Sequence, residues 1–154
     1  MRDVLEEELR LMGDYGLRNK RELWICKSLV AHFRQQARLI LSLPVEELSI
    51  RQRELVDKLS KMGLLFEDAS LDDVLDLNIE ALLNRRLQTM VFKKGLARSI
   101  HEARQLITHG HIAINGRRIT SPGYFVKRHE ENAISYAPGS PFLERPLVKA
   151  SEGS

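Results

Sequence analysis

The sequence predicts an α+β fold: an N-terminal helical body, then a small helix–helix–hairpin domain with a short, mainly antiparallel sheet. Three observations carry this. Apolar residues recur at three- and four-residue spacing through most of residues 1–92, the mark of amphipathic helices. Asn115-Gly116 separates two short runs, His111–Ile114 and Arg117–Ile119, and favours a type I′ hairpin turn between them. Ser121-Pro122-Gly123 then marks a turn before two more short runs, Tyr124–Lys127 and Ala133–Tyr136, which read as strands.

Taken in order, the first helix spans about Asp3–Met12 and is closed by Gly13. Asn19 opens a longer one, with Glu22 as its capping-box partner. Leu23, Val30, Phe33, Ala37 and Ile40 line its apolar stripe, and Trp24 lies near the boundary. Lys20, Arg21, Lys27, Arg34 and Arg38 give the same helix a second candidate basic stripe. Pro44 punctuates the chain before a helix from about Glu46 to Met62, stopped by Gly63. Leu64–Asp76 reads as an acidic loop or short turns. Asn78 caps a helix reaching Phe92, with Ile79, Leu82, Leu83, Leu87, Met90 and Val91 inward and Arg85, Gln88 and Thr89 elsewhere. Lys93-Lys94-Gly95 ends it, since cations suit the negative helix end and glycine suits the cap.

Ser99 and Glu102 form a capping box for the next helix. Ile100, Ala103, Leu106 and Ile107 share its apolar face, and His101, Arg104, Gln105 and Thr108 the polar one. Gly110 suits the left-handed stop. From Pro138 onward no periodicity remains, and the tail reads as extended, ordered against a partner.

The charge distribution separates the halves. Residues 1–83 carry 12 Lys+Arg against 16 Asp+Glu, a net −4, whereas residues 84–154 carry 12 against 5, a net +7, which together give the chain's +3. Such asymmetry suggests a basic binding module beside a more neutral body. The chain has no run of about 18 apolar residues, so no membrane span is expected. The acidic N-terminus does not read as a secretory signal. A lone Cys26 forms no internal disulfide and reads as a packed thiol in a reducing compartment.

The residue types bear on three chemistries. His101, His109 and His111 lack the further ligands a closed zinc site needs, so no metal is expected. Asp72, Asp73 and Asp76 have no neighbouring nucleophile, oxyanion donors or cofactor cradle, so neither catalysis nor a cofactor is expected. Nucleic-acid binding fits better. Arg85, Arg86, Lys93, Lys94, Arg98, Arg104, Arg117 and Arg118 come from consecutive elements and together neutralise several phosphates if they converge. Gln88, Ser99, Gln105, His109, His111 and Asn115 add hydrogen-bonding groups. Arg104→Ala is expected to weaken RNA binding by roughly 1–3 kcal/mol with little change of fold. Two rivals are a helix-turn-helix DNA regulator and the RNA-binding module of an RNA-modifying enzyme. The Asn-Gly hairpin argues against the first, and the chain has neither length nor motif for a catalytic domain.

The stretch RRLQTMVFKKGLARSIHEARQLITHGHIAING (residues 85–116) strongly resembles the small RNA-binding domain named after small-subunit ribosomal protein S-four. Arg86-Leu87, Gly95, Arg98, Glu102-Ala103-Arg104-Gln105 and His109 to Gly116 fill that family's motif. Pseudouridine synthases, tyrosyl-tRNA synthetases and a heat-shock ribosome-recycling protein share the module. The flanks resemble the ribosomal protein family itself, in its archaeal and eukaryotic form. They are Tyr15 to Trp24, Phe33 to Arg38, Leu71 to Leu75 and Ser140 to Phe142.

The resemblance implies a non-catalytic, cytoplasmic ribosomal protein that binds small-subunit rRNA early in assembly and supports accurate translation. It implies contact with small-subunit protein five, and a protein that is not a homo-oligomer. Residues 1–80 would pack on rRNA and neighbouring proteins, residues 81–137 would form the RNA-binding domain, and residues 138–154 the tail. Relatives of this branch usually begin with a further basic segment, so part of the RNA-contact surface is expected outside this sequence. The zinc cysteines of the bacterial form are absent.

Overall fold

A computed structural model of the chain describes residues 2–143, and the fold is α+β. Helix α1 (Arg2–Asp14) runs past Gly13, and the chain turns instead at Gly16, at φ +63°. Helix α2 (Lys20–Leu41) starts where the Asn19 side chain accepts the Glu22 N–H. Leu23, Cys26, Val30, Phe33 and Ala37 form its buried stripe, while Trp24 is exposed. Helix α3 (Val45–Lys61) begins directly after Pro44, and Gly63 follows at φ +80°.

The acidic segment contains a helix that its composition concealed. The Asp73 carboxylate accepts the Ser70 N–H at 2.9 Å, and this capping box starts α4 (Leu71–Leu75). Leu71 and Val74 plug the groove between α2 and α3, in a core with Phe33, Ala37, Leu55, Val56, Leu59 and Leu77.

The expected helix from Asn78 to Phe92 is two helices. Asn78 caps α5 (Ile79–Leu83), the chain breaks at residues 84–86, and α6 (Leu87–Lys93) starts on a new axis. The segment expected as the strand Tyr124–Lys127 is the cause. Val126 donates to the Arg85 carbonyl, and Leu87 and Gln88 donate to the carbonyls of Tyr124 and Pro122. Those bonds draw the backbone out of the helical path, and only an isolated bridge, Arg86 with Phe125, results. Upstream of the break, Leu82 and Leu83 pack with Leu11, Leu17, Leu23, Cys26 and Val30.

After Gly95, helix α7 (Ile100–Thr108) starts from Ser99, whose hydroxyl accepts the Glu102 N–H at 3.0 Å. The Glu102 carboxylate reaches back one residue further than expected, to the Arg98 N–H. Strand β1 (Ile112–Ile114) and strand β2 (Arg117–Arg118) flank Asn115 and Gly116, at φ +53° and +78°, the type I′ signature. A 3₁₀ turn (Arg128–Ala133) leads to β3 (Ile134–Tyr136). The sheet order is β2-β1-β3, both pairs antiparallel, with Ile114 opposite Arg117 and Ile134. Ala103, Leu106 and Ile107 cover it together with Leu87, Val91 and Val126.

The first residues of the tail fold back. Ala137 donates to the His111 carbonyl, and Phe142 lies edge-on to His111 and stacked on Tyr136. The expectation of an extended tail beyond residue 143 falls outside the described residues.

Candidate nucleic-acid interface

The site residues expected from the sequence divide into an inward and an outward set. Arg86, at the N-terminus of α6, is only 2% exposed, and its Nη2 donates to the Glu22 carboxylate at 3.0 Å. Gln88 is fully buried, and its Nε2 donates to the carbonyls of Gly16 at 3.1 Å and Ile100 at 2.9 Å. Arg85 points inward as well. Its Nε and Nη2 donate to the Val126 carbonyl, and its Nη1 pairs with Glu131 at 2.8 Å. The expectation that these three present side chains to a ligand is therefore corrected: each points inward and donates to groups inside the protein. Helical spacing puts Arg85 and Gln88 off the apolar face only if the helix runs unbroken through residues 84–86, and Arg86 enters the expected set as a cation of the same run.

Arg104 is intermediate. It lies on the polar face of α7 as expected, but its Nη2 donates to both oxygens of Glu22, at 2.8 and 2.9 Å. Arg104→Ala therefore removes a contact between α7 and α2 as well as a surface cation. His111 is half-buried, with Nδ1 3.2 Å from the Ser140 hydroxyl and its ring against Phe142, so it helps seat the tail.

The outward set comes from two places. Lys93 ends α6, and Lys94, Arg98 and Ser99 lie in the α6–α7 connection; Lys94 is half-buried and the others are exposed. Lys93 leans on Asn84, and the Ser99 hydroxyl is taken by its capping role. Gln105 and His109 on α7, and Asn115, Arg117 and Arg118 on the hairpin, are also exposed. Gly110 brings α7 and the hairpin together: a Cβ there would sit 3.1 Å from Arg118 Cδ. The Arg118 stem thus lies along the end of α7, beside His109.

The second basic stripe is not a single free surface. Lys20, Arg21 and Arg38 are exposed, but Lys27 pairs with Glu8 at 2.6 Å and Arg34 donates to the Leu77 carbonyl. Arg18 and His101 are exposed beside the site and were missing from the expected set. His101 was legible from the polar face of α7; Arg18, in a loop, carried no periodic signal.

Glu22 organises the junction. Burial alone would raise its pKa, but hydrogen bonds from Arg104 and the Arg18 N–H, with the charges of Arg86 and Arg104, outweigh burial and hold it below the ordinary value. For Arg86 burial is the largest influence and lowers its pKa despite Glu22. The guanidinium remains protonated at neutral pH. Among the described residues, no three of His, Cys, Asp and Glu come together as metal ligands. No helix among them is long and apolar enough to cross a membrane.

The S4 domain family model matches residues 85–132. That span opens at Arg85, inside the break between α5 and α6. Over nearly the whole chain, the sequence is similar to archaeal proteins named small ribosomal subunit protein uS4. The relative from Ignicoccus hospitalis is 55% identical over 145 residues, covering 94% of this chain and 87% of its own length. Those from Sulfurisphaera tokodaii and Sulfolobus acidocaldarius are 56% and 57% identical, covering 96% and 92% of this chain and 84% and 81% of their own lengths.

Proposed function

The chain belongs to the uS4 family of small ribosomal subunit proteins, and on that premise we propose that it is a structural, non-catalytic, rRNA-binding constituent of the small subunit. One observation carries the RNA contact. Once the inward arginines are set aside, Lys93, Arg98, Arg117 and Arg118 remain exposed on the end of α6, the α6–α7 connection and the hairpin of the S4 domain. A rigid basic surface of this kind suits folded RNA, recognised through phosphates and 2′-hydroxyls.

In this reading residues 81–137 engage rRNA, and residues 1–80 pack on rRNA and neighbouring proteins, protein five among them. Leu82 and Leu83 are the pegs by which the second part inserts into the first. The contact set is Lys93, Lys94, Arg98, Arg104, Gln105, His109, Asn115, Arg117 and Arg118, joined by Lys20 and Arg21. Residues 138–154 form the tail. The protein acts in the cytoplasm as a single copy per subunit, early in assembly of the subunit body, and supports decoding accuracy.

The test is equilibrium binding of the full chain to a folded archaeal small-subunit rRNA transcript and to duplex DNA, at matched salt. Tighter RNA binding with a steep salt dependence is expected. Replacing both Arg117 and Arg118 by Ala should reduce the log–log salt slope by roughly 1–2. Equal or tighter binding to DNA would overturn the proposal in favour of a DNA-binding regulator.

A further inference from the structure

We propose that Glu22 is a positioning residue for RNA binding: it ties the helical body to the S4 domain so that cations on both engage one RNA together. This rests on the RNA-binding reading above.

The geometry is specific. Glu22 sits in the first turn of α2, and its Oε1 accepts Arg86 Nη2 at 3.0 Å and Arg104 Nη2 at 2.8 Å. Its Oε2 accepts Arg104 again at 2.9 Å and the backbone N–H of Arg18. One carboxylate thus joins α2, the N-terminus of α6 and the second turn of α7. Gln88 adds a second tie beside it, between the carbonyls of Gly16 and Ile100. The fit is tight: a Cβ on Gly16 would lie 2.6 Å from Gln88 Nε2 and 2.9 Å from Ile100 Cγ1. The loop before α2 therefore rests on the start of α7.

Exposed cations lie within a few residues of the seam contacts on both sides. Arg18, Lys20 and Arg21 come from the body, and Arg98 comes from the S4 domain, with His101 and Gln105 beside it. The seam fixes the distance between the two groups. A polyanion then meets both in one arrangement and orders neither on binding, which is the usual benefit of preorganisation.

A negative side chain within a basic rim makes the idea testable by sign. If Glu22 were only a charge, neutralising it would tighten binding to RNA. If it positions, neutralising it weakens binding, because the two cationic groups lose their fixed relation and the buried Arg86 loses its counterion.

The experiment measures affinity of the full chain for a folded archaeal small-subunit rRNA transcript across a salt series, below the melting transition of every variant. Glu22→Gln should weaken binding roughly 3- to 10-fold, within the range of coupled charged contacts. Its salt slope should shrink by about 1, as body-side phosphates disengage. The double variant Arg18→Ala/Arg21→Ala should cost several-fold in the wild-type background and less than about 2-fold beside Glu22→Gln, because coupled sites are non-additive. A purely structural role would leave the two losses additive.

Additive losses, or Glu22→Gln binding as tightly as wild type, overturn the proposal while leaving rRNA binding intact. If Glu22→Gln does not fold, Glu22→Asp takes its place in the same cycle, its shorter side chain loosening the ties to Arg86 and Arg104, and additive losses there also overturn the proposal. Wild-type protein that ignores the transcript overturns the rRNA-binding reading beneath it.

Discussion

Gln88→Leu separates a structural glutamine from an RNA-reading one. The side chain is fully buried and donates to two carbonyls, Gly16 and Ile100. Leucine has a similar size and no donor. The Gly16 carbonyl is then left in a buried seam, at a cost of about 1–3 kcal/mol. The Ile100 carbonyl loses less, about 1 kcal/mol, because it lies in the first turn of α7 where the helix offers another donor. Part of this is recovered, since Gln88 Oε1 is itself buried without a partner and leucine removes it. The net destabilisation is about 2 kcal/mol, which for a chain of this size lowers Tm by roughly 4–8 °C. Thermal unfolding by circular dichroism measures it, alongside affinity for the rRNA transcript well below both transitions. Affinity should stay within about 2-fold of wild type, since a fully buried amide touches no ligand and the Glu22 contacts to Arg86 and Arg104 still hold the seam. An unchanged Tm with a large loss of affinity would refute the reasoning and restore Gln88 to the contact surface.

Three further outcomes are expected. Gly63→Ala should destabilise by roughly 3 kcal/mol in urea melts, since it strains a left-handed backbone and displaces bonded groups. Gly63 has φ +80°, and its Cβ would lie 2.3 Å from Arg85 Cζ, where Val126 and Glu131 hold the guanidinium. Cys26, 1% exposed, has its thiol pushed up to about 11, chiefly by burial, so a disulfide reagent at pH 8 should label it only in step with unfolding. Glu22 has a depressed folded pKa, so its stabilisation is present above the unfolded value of about 4.3 and lost as pH falls through the folded one. The advantage of wild type over Glu22→Gln in urea melts should therefore shrink on acidification through that window; a constant difference would contradict it.

What could be read from the sequence was what neighbours decide. Asn19, Asn78 and Ser99 cap helices because their partners lie three residues away, and Asn115-Gly116 makes its turn alone. Ser70 and Asp73 carry the same local signal, hidden by the acidity around them. The roles of the arginines were illegible for the opposite reason. Arg86 and Arg104 meet Glu22 across 64 and 82 residues of sequence, and Arg128 meets the Ser60 carbonyl across 68. Residue type says that an arginine wants an anion, not whether that anion is a phosphate or a carboxylate. The break at residues 84–86 escaped notice because Ile79, Leu82, Leu83, Leu87, Met90 and Val91 keep helical spacing straight across it.

The insertion of Leu82 and Leu83 between α1 and α2 has a consequence for biosynthesis. Arg86 is the 64th residue added after Glu22 during synthesis, so the carboxylate waits for its partner. Until α5 emerges, Leu11, Leu17, Leu23, Cys26 and Val30 lack the two leucines that close their core. Until then the nascent N-terminal half carries an open apolar slot. That is the stage at which a holding chaperone, or an early encounter with a partner, has the most to protect.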